Sequence, residues 1–329
     1  MSSVFQVENL HVALQGQSVL SHFELSLNQG DILCLLGPSG CGKTTALKAL
    51  AGLIPAQKGV ITLFDKTLKK NAYELPPEQR DMGFIFQDYA LFPHMTVAEN
   101  IAYALKGAGK ERIDSTVEEC LRLVQLSGLG ARYPHQLSGG QQQRTAVARA
   151  LAKRPKLLLM DEPFSNIDNQ VKQSLMTELR QLLKAHQITC IFVTHNKQEA
   201  FSFADKTAIL NRGQLEQVGR TQSVFEQPSS RFVADFMEAG NLVPINALPP
   251  GLAALDQQEN NSYVLLRENG FALDGSVNAK VSDSVYMGFR YRNRITVNDV
   301  TLFVESTHAL TIGNSVNLRY LHTPICVRD

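Results

Sequence analysis

The segment Gly37-Pro-Ser-Gly-Cys-Gly-Lys-Thr-Thr45 matches the phosphate-binding loop pattern GxxxxGK[ST] without a gap. The apolar run from Ile32 to Leu36 before it is typical of a buried parallel strand. The residues from Ala46 to Ala51 after it predict a helix that ends near Gly52. Because a strand, a glycine-rich loop and a helix in this order are the setting that the pattern requires, we predict a nucleotide-binding loop rather than an ordinary glycine-rich turn.

Each residue type in this loop has a chemical reason to be there. Glycines let the backbone turn tightly and direct consecutive N–H groups at phosphate oxygens, and the following helix presents the positive end of its dipole. We expect Lys43 to reach the β and γ phosphates and the Thr44 hydroxyl to ligate Mg²⁺. The predicted nucleotide contacts in the loop are Gly37, Ser39, Gly40, Cys41, Gly42, Lys43, Thr44 and Thr45.

The composition of the chain is that of a soluble globular protein with room for two domains. Of its 329 residues, 44% are apolar and 19% are charged. The net charge is +1, so the chain lacks the basic excess of most nucleic-acid-binding proteins, and we expect no nucleic-acid partner. The five cysteines never form a CxxC pair, which favours reduced thiols over disulfides or a zinc site. We find no apolar run of about eighteen residues and no leader, so we predict that this chain does not itself cross a membrane.

The order of periodic segments predicts an α/β domain followed by a smaller all-β domain. Strands that alternate with helices over residues 1–240 predict a mixed, mostly parallel sheet, with antiparallel strands within residues 4–29. Residues 88–136 read as an inserted helical subdomain. Residues 241–251 hold three prolines and predict a linker. Short strands with turn signals, including Asp274-Gly275, continue to the end and predict an OB-like barrel over 241–329.

Five further features follow the phosphate loop in a fixed order along the chain. They are Gln87 at a strand end, Leu137 to Gln141 at a helix start, the strand and acidic pair Leu157 to Glu162, Ser165 to Asp168, and His195 at the end of the next strand. With the loop, they resemble the ATPase subunit of an ATP-binding cassette (ABC) transporter over nearly all of residues 4–236. The conjunction is highly specific, and it implies the P-loop NTPase cassette fold with ATP and Mg²⁺ as cofactors.

The resemblance implies a catalytic role for each residue at the strand ends. Asp161 would hold Mg²⁺ through its coordination shell, and Glu162 would polarise the attacking water as general base. Gln87 would contact both the metal and the water and transmit the nucleotide state to the helical subdomain. His195 would hydrogen-bond the γ phosphate, which Lys43 also contacts. Taken alone, Gln87 and His195 would more often be ordinary polar residues, and only the conjunction favours the functional interpretation.

The segment that opens the helix after residue 136 lies far along the chain from the phosphate loop, so its role in binding a nucleotide needs a separate explanation. The resemblance implies that it contacts ATP held by a second copy of the chain, so that two chains enclose two nucleotides head to tail. The residues concerned are Ser138, Gly139, Gly140 and Gln141. Asp168 would lie in the loop along the same interface. A helix N-terminus with a serine hydroxyl and glycine amides is well suited to an anion.

One position departs from the family pattern in a way that bears on nucleotide choice. The family commonly stacks adenine on an aromatic residue in the first hairpin, and counting back from Val19-Leu20 places that position at Leu14. Leucine offers apolar contact but no π face. We therefore expect Leu14 to contact the base and to weaken the preference for adenine.

Residues 241–329 look like the accessory barrel on ATPases of solute importers, including those for ferric iron, polyamines, sulfate and sugars, with thiamine importers as a further candidate. Tyr263 to Glu268 and Val285 to Gly288 are similar to strands of that barrel, and the compact tail is most like the ferric-iron type. The resemblance implies a peripheral subunit on the cytoplasmic face of the inner (plasma) membrane. It would drive separate membrane permease subunits and, indirectly, a periplasmic or extracellular solute-binding protein.

Functions of other classes fit the sequence less well. Arg290, Arg292 and Arg294 alternate on one predicted strand face and could contact an oligonucleotide, but a solvated edge strand is the favoured interpretation. A phosphate-loop kinase would have no use for Leu137 to Gln141. A cassette protein acting on the ribosome or in DNA repair usually has two cassettes or a long coiled coil, so it remains the less favoured alternative.

Overall fold

A computed structural model describes residues 3–165, 167–253 and 262–328. The chain forms two compact units, Met1–Thr221 and Gln222–Asp329. Among the described residues, no helix has both the length and the apolar character needed to cross a lipid bilayer.

The N-terminal unit contains two sheets and most of the helices. Its strands are β1 (Phe5–Leu14), β2 (Gln17–Leu27), β3 (Ile32–Leu36), β4 (Lys58–Leu63), β5 (Lys66–Lys70), β6 (Tyr73–Glu74), β7 (Met82–Ile85), β8 (Leu157–Asp161), β9 (Thr189–Thr194), β10 (Lys206–Asn211) and β11 (Gln214–Arg220). The helices of the chain are α1 (Lys43–Ala51), α2 (Val97–Tyr103), α3 (Lys110–Leu123), α4 (Gly139–Leu151), α5 (Asn169–Ala185), α6 (Lys197–Phe203), α7 (Thr221–Glu226) and α8 (Arg231–Phe236).

The strand order confirms the predicted mixed, mostly parallel sheet. Six strands run in the order β11-β10-β3-β9-β8-β7, and every neighbouring pair except β10 and β11 is parallel. Strands β3, β8 and β9 are buried at every position, as expected of strands covered on both faces. The predicted antiparallel strands near the N-terminus, β1 and β2, belong to a second sheet in the order β2-β1-β4-β5-β6. Apolar residues of both sheets and of α1 form one core.

The helix after the phosphate loop begins earlier than predicted. Helix α1 begins at Lys43 rather than Ala46, because Gly42 in the left-handed conformation (φ 106°) ends the loop and the last residues of the motif form the first helical turn. Helix α3 begins at Lys110, directly after Gly109 in an extended conformation. Helices α2, α3 and α4 pack together.

The C-terminal unit opens with short helices, and its described residues then form mainly β-strands, as predicted. Its strands are β12 (Asn241–Pro244), β13 (Tyr263–Leu266), β14 (Phe271–Tyr286), β15 (Tyr291–Val297), β16 (Val300–Ser306), β17 (Ser315–Tyr320) and β18 (Ile325–Val327). They form two sheets, in the orders β12-β13-β18 and β16-β15-β14-β17, which share one apolar core.

Residues 222–240 lie in this C-terminal unit, although the sequence predicts a domain boundary at 240. The guanidinium of Arg267 at the end of β13 donates hydrogen bonds to the carbonyl oxygens of Phe225 (2.7 Å), Glu226 (2.9 Å) and Ala239. These bonds tie the helical segments to the strands that follow them.

Three predictions for this unit were wrong in detail. The predicted linker begins with strand β12, which pairs with β13. The predicted turn at Asp274-Gly275 lies inside β14 at a register shift against β17, where a Cβ on Gly275 would come within 2.0 Å of the Leu318 carbonyl oxygen. Strand β15 is not an edge strand, because it lies between β14 and β16.

Candidate active site

The phosphate loop lies between β3 and α1, as its sequence predicts. A Cβ on Gly37 would lie 2.2 Å from the Leu210 carbonyl oxygen, so a larger residue could not fit beside β10. Gly40 and Gly42 have φ values of 79° and 106°, a region that residues with a side chain rarely adopt. The loop therefore depends on glycine for its shape at three positions.

Lys43 points back into the loop. Its Nζ donates hydrogen bonds to the carbonyl oxygens of Gly37 (2.8 Å) and Pro38 (2.9 Å), and only 8% of the residue is exposed. Burial raises the pKa of the neighbouring Cys41 thiol, which therefore packs as a small uncharged group. The loop thus holds one ammonium group inside its own curve, where a phosphate chain would need a positive charge.

Thr44 and Asp161 connect the loop to the end of β8. The Thr44 hydroxyl donates a hydrogen bond to Asp161 Oδ1 over 2.9 Å. Burial raises the pKa of the Asp161 carboxyl above its ordinary value, although the bond from Thr44 acts in the opposite direction. A hydroxyl and a carboxylate at this distance are the oxygen ligands that Mg²⁺ prefers when phosphates and water complete its shell. These two residues therefore fit a magnesium ion.

Glu162 follows Asp161 and turns sharply away from the strand. Its backbone adopts a left-handed conformation (φ 44°), and its N–H donates to the Val193 carbonyl oxygen over 3.1 Å. Few residues other than glycine adopt such a conformation without a local reason. The turn sends the Glu162 side chain in a different direction from that of Asp161, so two adjacent carboxylates can serve different purposes.

The Glu162 carboxylate lies between two other predicted catalytic residues. Gln87 Nε2 donates to its Oε2 over 3.3 Å, and His195 Nδ1 lies 3.1 Å from its Oε1. The three residues follow β7, β8 and β9, which are parallel neighbours, so the carboxyl ends of these strands meet at one edge of the sheet. The structure therefore brings Gln87, Glu162 and His195 together, beside the Asp161–Thr44 pair.

The segment that opens α4 is held by a helix cap of its own. Ser138 caps the helix through a reciprocal pair of bonds, in which Ser138 Oγ accepts from the Gln141 N–H (3.4 Å) and Gln141 Oε1 accepts from the Ser138 N–H (3.0 Å). Among the hydrogen bonds of the described residues, none joins this segment to Lys43 or Glu162. Gly139 and Gly140 form the first turn of α4.

Two further predicted residues also lie outside the group. Asp168 caps α5, since its Oδ1 accepts a hydrogen bond from the Gln170 N–H over 2.8 Å. Leu14 ends β1, pairs with Gln17 across the hairpin turn and is 38% exposed. The same hairpin contributes Val19 and Leu20, which lie close to Gly42 in the phosphate loop. Leu14 is therefore a surface apolar residue on the hairpin that flanks the loop.

Sequence reasoning missed a buried acid that positions the end of β9. The Thr194 hydroxyl donates to Glu199 Oε2 over 2.6 Å, and Glu199 Oε1 pairs with Lys172 of α5 over 3.1 Å. Thr194 directly precedes His195, so this network fixes the backbone from which the imidazole extends. No pattern marks Glu199, although Asn196 before it is a typical helix-capping residue and does cap α6.

Asp205 was also missed, and it anchors the start of the strand that leads into the loop. Its carboxylate accepts hydrogen bonds from the Ile32 N–H (2.9 Å), from Arg180 (2.6 Å) and from Lys184. Burial alone would raise the pKa of Asp205, but these bonds outweigh it and hold the pKa below the ordinary value. The carboxylate therefore ties β3 and α5 together while it is ionised.

Known proteins resemble the chain over most of its length. The family model described as ABC transporter matches residues 20–165. The spermidine/putrescine import ATP-binding protein PotA of Pseudomonas fluorescens is 37% identical over 340 residues, covering 93% of this chain and 90% of the relative. The Fe(3+) ions import ATP-binding protein FbpC of Photorhabdus laumondii is 43% identical over 316 residues, covering 91% of this chain and 89% of the relative.

A solved structure agrees with the fold of the N-terminal unit. It is the dimeric post-hydrolysis state of an ATP-binding cassette bound to ADP and Pi, with 28% identity and a TM-score of 0.57, covering 66% of this chain and 98% of that one. The two relatives indicate the same family as the phosphate loop and the acidic end of β8. The chain belongs to the ABC transporter family and is an ATP-binding, ATP-hydrolysing subunit.

Proposed function

We propose that Glu162 is the general base of ATP hydrolysis in this chain. Its carboxylate lies between the Gln87 amide and the His195 imidazole, and this arrangement is the observation that carries the proposal. Glu162 Oε would accept a proton from the attacking water, while Gln87 orients that water and His195 faces the γ phosphate. Lys43 would stabilise the negative charge that the phosphate oxygens carry during transfer.

Mg²⁺ is the proposed metal cofactor. Thr44 and Asp161 would hold it, and Gln87 would be a further contact. This assignment is supported by the Thr44 hydroxyl oxygen and Asp161 Oδ1, which lie 2.9 Å apart and are both suitable ligands for the ion. Bound there, the ion would neutralise charge on the β and γ phosphate oxygens. The loop amides from Gly37 to Thr45 would cradle the phosphates, and Leu14 would contact the base.

The complete site is proposed to form between two copies of the chain. Among the described residues of one chain, Ser138 to Gln141 make no hydrogen bond to Lys43 or Glu162, yet they present a capped helix N-terminus that suits a phosphate. A head-to-tail homodimer would place this segment of one copy over the nucleotide of the other. Asp168 would lie along the same interface.

Coupling to transport would pass through the helical subdomain. We propose that closure of the ATP-bound dimer moves residues 88–136 and, through them, separate integral membrane permease subunits that receive solute from a binding protein on the other side. The chain would then lie on the cytoplasmic face of the plasma membrane. Import is the proposed direction, because both full-length relatives reported above are named as import proteins.

Ferric iron is the proposed solute, with polyamine as an equally supported candidate. One full-length relative is named for Fe(3+) import and the other for spermidine and putrescine import, at comparable coverage. Reconstitution of the chain with the permease encoded beside it would decide between them. ATP-dependent uptake of ferric iron, but not of spermidine, is expected, and the reverse result would assign the chain to polyamine import.

The homodimer is best tested in a variant that binds ATP but cannot hydrolyse it. Glu162→Gln should bind ATP and sediment as a dimer when ATP is present. A second substitution, Ser138→Arg, should abolish this dimer, while each chain still binds ATP at its own phosphate loop, to which Ser138 makes no hydrogen bond. A double variant that still dimerises with ATP would refute the proposed composite site.

A further inference from the structure

Glu199, in the first turn of α6, holds the residues on both sides of His195. Its Oε2 accepts a hydrogen bond from the Thr194 hydroxyl over 2.6 Å, and the same hydroxyl oxygen accepts from the Asn196 N–H over 3.0 Å. A hydroxyl has one proton, and an ionised carboxylate can only accept, so Glu199 fixes the direction in which Thr194 donates. The free lone pair of that hydroxyl is thereby turned towards Asn196.

The other oxygen of the Glu199 carboxylate connects to α5. Lys172 Nζ donates to Glu199 Oε1 over 3.1 Å, and both side chains are largely buried. The Lys172 N–H donates to the Asp168 carbonyl oxygen over 2.9 Å, in the first turn of the helix that Asp168 caps. The relay formed by Lys172, Glu199 and Thr194 therefore links the loop at Asp168 to the strand end at His195.

The imidazole of His195 depends on its backbone for its position. Its side chain is 63% exposed, and among the hydrogen bonds of the described residues it takes part in one, with Glu162 Oε1. Few contacts other than the peptide groups on either side hold the ring, and those groups are the ones that the Thr194 hydroxyl fixes. A shift of this hydroxyl would therefore reach the ring directly.

Stability alone does not account for the Lys172–Glu199 pair. The cost of removing two charges from water largely offsets their mutual attraction, and apolar replacements of a buried pair are often neutral or stabilising. What an apolar pair could not do is hold the Thr194 hydroxyl in one direction. The pair is therefore better explained by the geometry that it fixes.

We propose that the relay makes the position of His195 depend on the loop at Asp168, and so on contact with the second copy of the chain. Glu199 is then a positioning residue, which acts on ATP hydrolysis through Thr194 without contacting the nucleotide. Docking of the partner against this loop would shift the first turn of α5, and Lys172 would carry the shift to Glu199. The inference rests on the function proposed above for His195 and Asp168, and it adds regulation of that site by the partner.

Two variants interrupt the relay at different points. Thr194→Val keeps the shape of the side chain but removes the hydroxyl. The double change Lys172→Met with Glu199→Gln leaves no buried charge unpaired, and its amide oxygen can still accept from Thr194, but the bond to α5 is lost. In the full chain with ATP and Mg²⁺, each should lower kcat roughly tenfold and leave KM within about twofold, because misplacement of a group at the site impairs transfer more than binding.

Matched variants separate positioning from general damage to the fold. Thr194→Ser keeps the hydroxyl and should stay within about twofold of the natural kcat. Thr177→Val makes the same chemical change on an exposed position of α5, where the hydroxyl bonds the Gln173 carbonyl oxygen (2.9 Å), and should alter neither constant. Combining Thr194→Val with the double change should lower kcat no further, because both act on one series of bonds.

A natural kcat in either interrupted variant would overturn the proposal, and so would a KM that rises as far as kcat falls. Multiplied effects in the combined variant, or a Thr194→Ser chain as impaired as Thr194→Val, would overturn it as well. Glu162→Gln, assayed beside them, keeps this inference separate from the proposed function. Normal turnover in Glu162→Gln would refute the general base, whereas an inactive Glu162→Gln beside fully active interrupted variants would refute the relay alone.

Discussion

His195 Nδ1 lies 3.1 Å from Oε1 of Glu162, although 33 residues separate the two in the chain. The contact exists because β8 and β9 are parallel neighbours that end at the same edge of the sheet. Gln87, at the end of β7, completes the arrangement from the other side. Two neighbouring strand ends therefore hold in place the one carboxylate that we propose as the general base.

Replacement of Glu162 by Gln is predicted to reduce ATP turnover by roughly 10²-fold or more while leaving ATP binding intact. The amide keeps the shape of the side chain but cannot accept a proton from water, and general-base catalysis contributes about 10²–10⁴-fold. Phosphate release and equilibrium binding of ATP would be measured on the same samples. Glu24→Gln, an exposed change on β2, is the matched control and should behave as the natural chain. Near-normal turnover in Glu162→Gln would refute the assignment.

Asp205→Asn is predicted to destabilise the N-terminal unit at neutral pH by about 2 kcal/mol, since hydrogen bonds to a charged group are worth roughly that much. The pKa of Asp205 is lower in the folded chain than the ordinary value of about 3.9. Its stabilising contribution is therefore complete above about pH 4 and is lost as the pH falls through the folded value. Urea unfolding should show a large difference between variant and natural chain at pH 7 and a smaller one near pH 3.

The exposed change Asp65→Asn should cause no difference at either pH, because Asp65 lies on the surface. A constant destabilisation of Asp205→Asn across the whole pH range would contradict this explanation. It would mean that the shape of the carboxylate, and not its charge, holds β3 and α5 together.

Arg80→Met is predicted to destabilise the N-terminal unit by roughly 3 kcal/mol, because removal of one partner of a buried charged network leaves the others unpaired. Arg80 is fully buried and donates to the Ala49 (3.1 Å) and Leu50 (2.8 Å) carbonyl oxygens at the end of α1, and to Glu74 (2.8 Å). Chemical denaturation would measure the loss. Arg154→Met removes a highly exposed pair with Glu119 and should cost less than about 1 kcal/mol. Equal effects of the two substitutions would contradict the prediction.

Leu14→Tyr is predicted to sharpen the preference for ATP over GTP by a few-fold. A tyrosine at this exposed hairpin position supplies the π face that leucine lacks, and aromatic stacking adds roughly 0.5–1.5 kcal/mol. Turnover of both nucleotides would be compared in the natural chain and the variant, with Leu14→Met as a control that adds no ring. Unchanged discrimination in Leu14→Tyr would show that this position does not contact the base.

The sequence predicted the parts of the site that short motifs encode. Gly37 to Thr45 and Asp161-Glu162 have local patterns, whereas His195 was assigned to the same site only through the order of all the motifs and the family resemblance. The fold of the N-terminal unit followed from the same alternation of apolar strands and amphipathic helices.

The remaining features depend on contacts between distant residues. Arg80 caps a helix that ends 29 positions before it, and Asp205 bonds Ile32 across 173 positions, so no local pattern marks either residue. Asp274-Gly275 has the composition of a turn, yet it lies inside β14 at a register shift, where strand β17 approaches too closely for any side chain at Gly275. Such errors occur where tertiary packing overrides local composition.

The dependence of ATP turnover on protein concentration tests the central claim most directly. If Ser138 to Gln141 complete the site of a second copy, turnover per chain should fall towards zero as dilution takes the protein below its dimerisation range, while each monomer still binds ATP. Sedimentation would define that range on the same samples. Turnover per chain that stays constant from dimer to monomer would contradict the composite site and show that one chain hydrolyses ATP alone.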